Sequence, residues 1–229
     1  MRAVCAGVLA GFMTISAVAG AGAQEIANVA PETPTHHARS MVDYGPVEPP
    51  PAFKVFCKEM PDECVPRLSH GRFDLSARRL EELDEVNRRV NHTISPETDI
   101  EHYGVEDYWT IPKDGKGDCE DYALLKRHLL ISMGWPTSAL LMTVVRAEND
   151  EGHAVLTART NSGDLILDNR ADEIKLWYQT PYKFKMRQSL EDPKVWLDLD
   201  PADDVLPAPI AELELLFGLN RQTLNGQSR

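Results

Sequence analysis

Basic residues are scarce in this 229-residue chain, 24 Lys and Arg against 36 Asp and Glu, for a net charge of −12. A chain without a basic footprint is a poor partner for nucleic acid and for an anionic membrane surface. Aromatic residues are also few, at 7%. After the first twenty or so residues no apolar run approaches the roughly 18 residues of a membrane span, which argues against direct membrane insertion. What remains, 42% hydrophobic and 26% charged, excludes a collagen, a coiled coil and a wholly disordered chain. It suits one globular domain with tails.

The N-terminus reads as an export signal. Arg2 precedes the apolar run Ala3–Ala19, and Ala21-Gly22-Ala23 has the small-residue pattern of a cleavage site before Gln24. Cys5 leaves with that signal, so Cys57, Cys64 and Cys119 remain. Six residues separate Cys57 from Cys64, and a disulfide between them would close a short loop in an oxidising compartment. A zinc site from Cys57, Cys64 and His70 lacks a fourth ligand. Cys119 is left as a lone thiol.

Residues 24–52 carry Pro31, Pro34, Pro46, Pro49, Pro50 and Pro51 and read as a flexible leader. The folded domain is expected over 53–200, and 201–229 as a tail with a short helix at Ile210–Phe217. Leu80, Leu83, Val86 and Val90 have helical spacing within 75–92, with Asp74 or Ser76 as cap. Residues 93–117 read as loop. The clearest helix covers 119–133, with Asp118 at its N-cap, Gly134 at its end and Pro136 beyond. Strands are expected at Ala139–Arg146, His153–Arg159 and Asp164–Asn169, the last two joined through Asn161-Ser162-Gly163, with another near Tyr182–Arg187. Helices followed by antiparallel strands make an α+β fold.

The chemistry gathers at Gly117-Asp118-Cys119-Glu120-Asp121-Tyr122. A thiol in the first turn of a helix meets unpaired N–H groups and the positive end of the dipole, which favour thiolate and can hold an oxyanion. A nucleophile needs a base beside it and an acid to orient the base. His153 and Asp168 supply those types on consecutive strands. A turn centred on Ser162 gives a pairing sum near 324, which sets Asp168 across from residue 156, so the register is suggestive. The three acids Asp118, Glu120 and Asp121 oppose the thiolate. A divalent cation would reverse that sign, and oxygen ligands point to calcium rather than zinc. Plain N-terminal capping by acids is the competing account.

Gly117–Ala123, Lys126, Gly134-Trp135-Pro136, Gly152–Leu156 and Leu167-Asp168-Asn169-Arg170, taken together over residues 53–190, resemble the bacterial transglutaminase-like cysteine peptidases, the LapG-type periplasmic proteases. The resemblance implies a papain-like, transglutaminase-like α+β core with the nucleophile at a helix N-terminus packed on an antiparallel sheet. It assigns Cys119 as nucleophile, His153 as base and then acid, and Asp168 as the orienting acid. It also implies calcium held by Asp118, Glu120 and Asp121, with Asp114 as a further ligand. Trp109 resembles an upstream family Trp, read as a site wall, an oxyanion donor or a core aromatic.

By resemblance the substrate is a large surface adhesin cut in biofilm control, and the regulator an inner-membrane receptor that senses cyclic di-GMP. The compartment is the periplasm. Two alternatives stand beside peptidase activity: a transglutaminase or deamidase using the same triad, and a non-catalytic calcium-binding module of the same fold.

Overall fold

The computed structural model describes residues 39–66 and 72–200. The signal, the leader before Arg39, His70 and the tail with its expected helix lie outside the described residues.

In chain order the elements are β1 (Pro46–Val47), α1 (Pro51–Glu59), α2 (Ala77–Thr93), β2 (Ser95–Pro96), α3 (Asp99–His102), β3 (Lys116–Gly117), α4 (Cys119–Ser132), β4 (Leu140–Arg146), β5 (Gly152–Thr160), β6 (Gly163–Asp168), β7 (Ala171–Leu176), β8 (Lys183–Gln188) and β9 (Trp196–Asp198). Seven strands form one sheet in the order β1-β9-β8-β4-β5-β6-β7, with every pair antiparallel. The α+β expectation holds.

Periodicity placed the central elements well. Ser76 caps α2 by accepting from Arg79 N–H. Leu83, Val86 and Val90 are buried, while Leu80, on the expected apolar face, is 45% exposed. Gly134 has φ +91°, the left-handed position that ends α4. One core packs α1, α2 and α4 on the sheet through Phe53, Phe56, Leu83, Leu124, Leu130, Met142, Leu156 and Trp196. A smaller cluster unites Met41, Val145, Val155, Ile166, Phe184 and Leu199.

Three differences matter. The expected leader 24–52 does not run to Phe53, because Pro46–Val47 pair with β9 and Pro51 opens α1. Proline is at home on a sheet edge and at the first helical position, where no N–H is needed. The 93–117 region holds α3 and a two-residue parallel pairing of β2 with β3. The hairpin register sums to 323, as in Leu156↔Leu167, one less than expected. Continued past the ladder's end, it sets Asp168 opposite Val155 and makes it a diagonal neighbour of His153.

Cys57 on α1 and Cys64, in the 3₁₀ turn Pro61–Cys64, form the disulfide, with Cα atoms 5.7 Å apart. That pairing removes both thiols from the zinc alternative. Arg127, buried on α4, donates to Glu63 O at 2.8 Å and to Leu140 O at 3.1 Å. It ties the disulfide loop to the helix that begins with Cys119. Among the described residues no helix is long and apolar enough to cross a membrane.

Candidate active site

Cys119 is the first residue of α4, and Asp118 stands at its N-cap without a side-chain capping bond. Plain capping therefore does not account for the Asp118 carboxylate. Its Oδ1 is buried and has no hydrogen-bond partner. Cys119 Sγ accepts from Ala154 N–H at 3.4 Å and donates to Glu120 Oε2 at 3.1 Å. Burial pushes the thiol pKa well up, and the Glu120 charge and hydrogen bond push it further; the Ala154 N–H acts the other way.

His153 lies beside Ala154 on β5, so the strand that reaches the sulfur also carries the base. Its Nε2 bonds Asp168 Oδ1 at 2.9 Å, and its Nδ1 is buried and unpartnered. Asp168 Oδ1 also accepts from Arg170 N–H at 3.0 Å, and Tyr182 Oη donates to Oδ2. Burial would raise the Asp168 pKa, but these bonds outweigh it and hold the carboxyl below its usual range.

The acids around the thiol come from more of the chain than the motif alone. Asp99, Asp118 and Asp121 bring ligand oxygens within 4.8 Å of one another, as do Asp99, Asp107 and Glu120. Asp99 Oδ1 and Asp121 Oδ2 are buried without partners. Burial, then the charges of Asp118 and Asp99, push Asp121 up to about 8 against the pull of the Thr110 N–H. Burial and Asp118 raise Glu120 as well, and burial raises Asp99 and Asp107. So many desolvated carboxyls with orphaned oxygens fit a hard divalent cation.

Sequence reasoning missed Asp99 and Asp107. They lie 19 and 11 residues before Asp118, and no spacing rule picks them out. The pairing of β2 with β3 closes that loop and brings its start beside α4. Asp114, named on the sequence, pairs instead with His102 at 2.8 Å and joins none of the ligand groups. Gly117 has a packing reason, since a Cβ there would stand 2.4 Å from Asp121 Oδ2.

Trp109 is buried against Phe53 and Trp196 at 5.5 and 6.0 Å between ring centroids. Its indole N–H is committed to Asp107 Oδ1 at 2.8 Å, so it is wall and core rather than an oxyanion donor here. Lys126, two turns along α4 from the thiol, is buried. Burial lowers its ammonium pKa to about 7, against the pull of Asp168 and Asp172.

Cys119, His153, Asp118, Glu120 and Trp109 line one cleft of about 850 Å³. Pro49, Pro50, Pro51 and Pro96 also line it. That volume lies within the usual range of ligand-binding clefts. A nucleophile, a base, its orienting acid and helix-start N–H groups together can carry acyl transfer.

Comparison with known proteins follows the same line. The model of the bacterial transglutaminase-like cysteine proteinases (BTLCP) matches residues 43–204. Among solved structures, calcium-bound LapG of Legionella pneumophila is 26% identical, covering 60% of this chain and 80% of that one, with a TM-score of 0.45. The EGTA-treated form of the same protein is 26% identical, covering 61% of this chain and 77% of that one, with a TM-score of 0.45. No curated protein sequence matches. The chain belongs to the bacterial transglutaminase-like cysteine proteinase family.

Proposed function

We propose that the protein is a periplasmic, calcium-dependent cysteine endopeptidase using Cys119, His153 and Asp168. One observation carries the reading. His153 holds Asp168 through Nε2 and keeps Nδ1 unpartnered, on the strand whose next N–H touches the Cys119 sulfur.

Cys119 Sγ attacks the peptide carbonyl while His153 Nδ1 takes the thiol proton. The N–H groups at the start of α4 hold the oxyanion. The imidazolium gives its proton to the departing amine, which leaves a thioester on Cys119. His153 then takes a proton from water as the water attacks the thioester, and returns it to the sulfur as the acid departs. Asp168 stays ionised throughout and keeps the imidazole in one tautomer.

Asp99, Asp118 and Asp121 would hold the cation, with Asp107 and Glu120 beside them. A bound calcium would neutralise the carboxylates next to Cys119 and so favour the thiolate.

Family membership supports a protein substrate. A large surface adhesin cut in biofilm control, and restraint by an inner-membrane cyclic di-GMP receptor, extend that reading. The Cys57–Cys64 disulfide supports an oxidising compartment.

The test is mass spectrometry of products. Unfolded secreted proteins and an amine donor are incubated with the protein, with calcium or chelator, beside Cys119→Ala. Cleaved chains that need both calcium and Cys119 support the reading. Isopeptides or Gln-to-Glu conversion without cleavage would replace it with acyl transfer or deamidation. Products unchanged by Cys119→Ala would leave a binding module.

A further inference from the structure

We propose that Tyr182 is a positioning residue of the catalytic group, its hydroxyl locking the Asp168 carboxylate so that His153 stays protonated on Nε2 and open on Nδ1. The inference rests on the cysteine-peptidase reading of this site and adds a residue that no motif in the chain announced.

The geometry is specific. Asp168 Oδ1 already serves His153 Nε2 at 2.9 Å and Arg170 N–H at 3.0 Å. Oδ2 accepts from Tyr182 Oη. A carboxylate held through one oxygen can rock about its Cβ–Cγ bond. Held through both, it presents a fixed acceptor to the imidazole. The phenol ring also lies 5.4 Å from the His153 ring, at 57° to it, and so covers the pair.

The ring alone would not need a hydroxyl. Tyr182 packs its apolar part against the cluster of Val145, Val155 and Phe184, a task phenylalanine would perform equally well. A half-buried hydroxyl costs free energy unless it finds a partner, and the partner it finds is the triad acid. Burial and Asp168 together push its ionisation well above the usual tyrosine range, so it remains a donor at every working pH.

The fold delivers Tyr182 by a long route. It stands immediately before β8, which is separated from β6 in the sheet by β4 and β5. The connection from the edge strand β7 must therefore pass the strands that carry His153 and Asp168. By contrast Tyr178, on the same connection, is exposed.

The test is nuclear magnetic resonance of ¹⁵N-histidine-labelled full-length protein, with His153→Gln assigning the signal. The native protein should show a low-field Nε2–H resonance that exchanges slowly with water. In Tyr182→Phe this proton should exchange about tenfold faster, the low end for one hydrogen bond to a charged group, with the thermal midpoint retained. An unchanged exchange rate, or no such resonance in the native protein, overturns the proposal.

Should Tyr182→Phe not fold, the native tyrosines are titrated by ¹³Cζ shift. A tyrosine still un-ionised near about pH 11, and normalised by Asp168→Asn, supports the contact. A set of tyrosine titrations that Asp168→Asn leaves unchanged overturns it. Neither readout needs turnover, so a chain without peptidase activity would sink the functional reading and leave this one standing.

Discussion

The thiol of Cys119 donates to the Glu120 carboxylate at 3.1 Å, so without a cation the nucleophile is tied to the group that most opposes its ionisation. Burial and Glu120 both raise its pKa. Iodoacetamide should therefore alkylate Cys119 slowly in chelator and about tenfold or more faster in calcium, since each unit of pKa is worth a factor of ten in thiolate. His153→Ala should remove most of that gain. Equal rates in calcium and chelator, read by mass spectrometry, would break the link between cation and thiol.

The acid cluster sets a second expectation, for the chelated protein. Asp121 is pushed up to about 8 when folded, and Glu120 is raised too, against roughly 4 for such groups in an unfolded chain. The folded state binds more protons, so the stability these groups contribute is full below about pH 4 and is lost as the pH rises. Below about 7, Lys126 is protonated in both states and stays out of the balance. Thermal midpoints in chelator should fall from about pH 5 to about pH 7, and Asp121→Asn should flatten the slope. A native midpoint that rises over this window would contradict the assignment.

Ligand identity separates Asp99 from Asp114. Asp99→Asn should weaken calcium binding about tenfold or more by calorimetry, because Asp99 joins two of the ligand groups. Asp114→Asn should leave affinity nearly unchanged, since that carboxylate pairs with His102. The reverse order of effects would move the site.

Gly117→Ala tests the floor of the same cluster. Its Cβ would press within 2.4 Å of Asp121 Oδ2 and 2.7 Å of Asp121 Cβ, and the neighbour is a buried carboxylate with little room to yield. Calcium affinity and thermal midpoint should both drop. Retention of both would show that Asp121 can shift without cost.

The Cys57–Cys64 bridge closes a short loop, seven positions from end to end. Its loss through paired Ser substitutions should cost about 2 kcal/mol in denaturant melts. Cys119 reactivity should fall as well, because Glu63 in that loop accepts from Arg127 on the nucleophile helix.

Strong local signals made part of this legible in the sequence. The start of α4 followed from Asp118 and its end from Gly134 and Pro136, and the three central strands from short apolar runs and the Asn161–Gly163 turn. Other parts had no local signature. β7 is half exposed throughout and lacks alternation, and β9 has only three residues. The Pro49–Pro51 run resembles a linker, although its last member starts a helix. The hairpin sum missed by one residue, enough to change which residue faces Asp168. Asp99, Asp107 and Tyr182 reach the site only through tertiary paths, and burial of a lone acid or phenol leaves no trace in spacing.

Four prolines limit what the cleft can offer a bound chain. Pro49, Pro50, Pro51 and Pro96 line it, and proline has no N–H to give. Their carbonyls can accept hydrogen bonds, although Pro50 O already accepts from Lys54 N–H, but their backbone nitrogens donate none. Every backbone donor to a bound chain must therefore come from the other residues that line the cleft, which shortens the list of N–H groups available to polarise a scissile carbonyl.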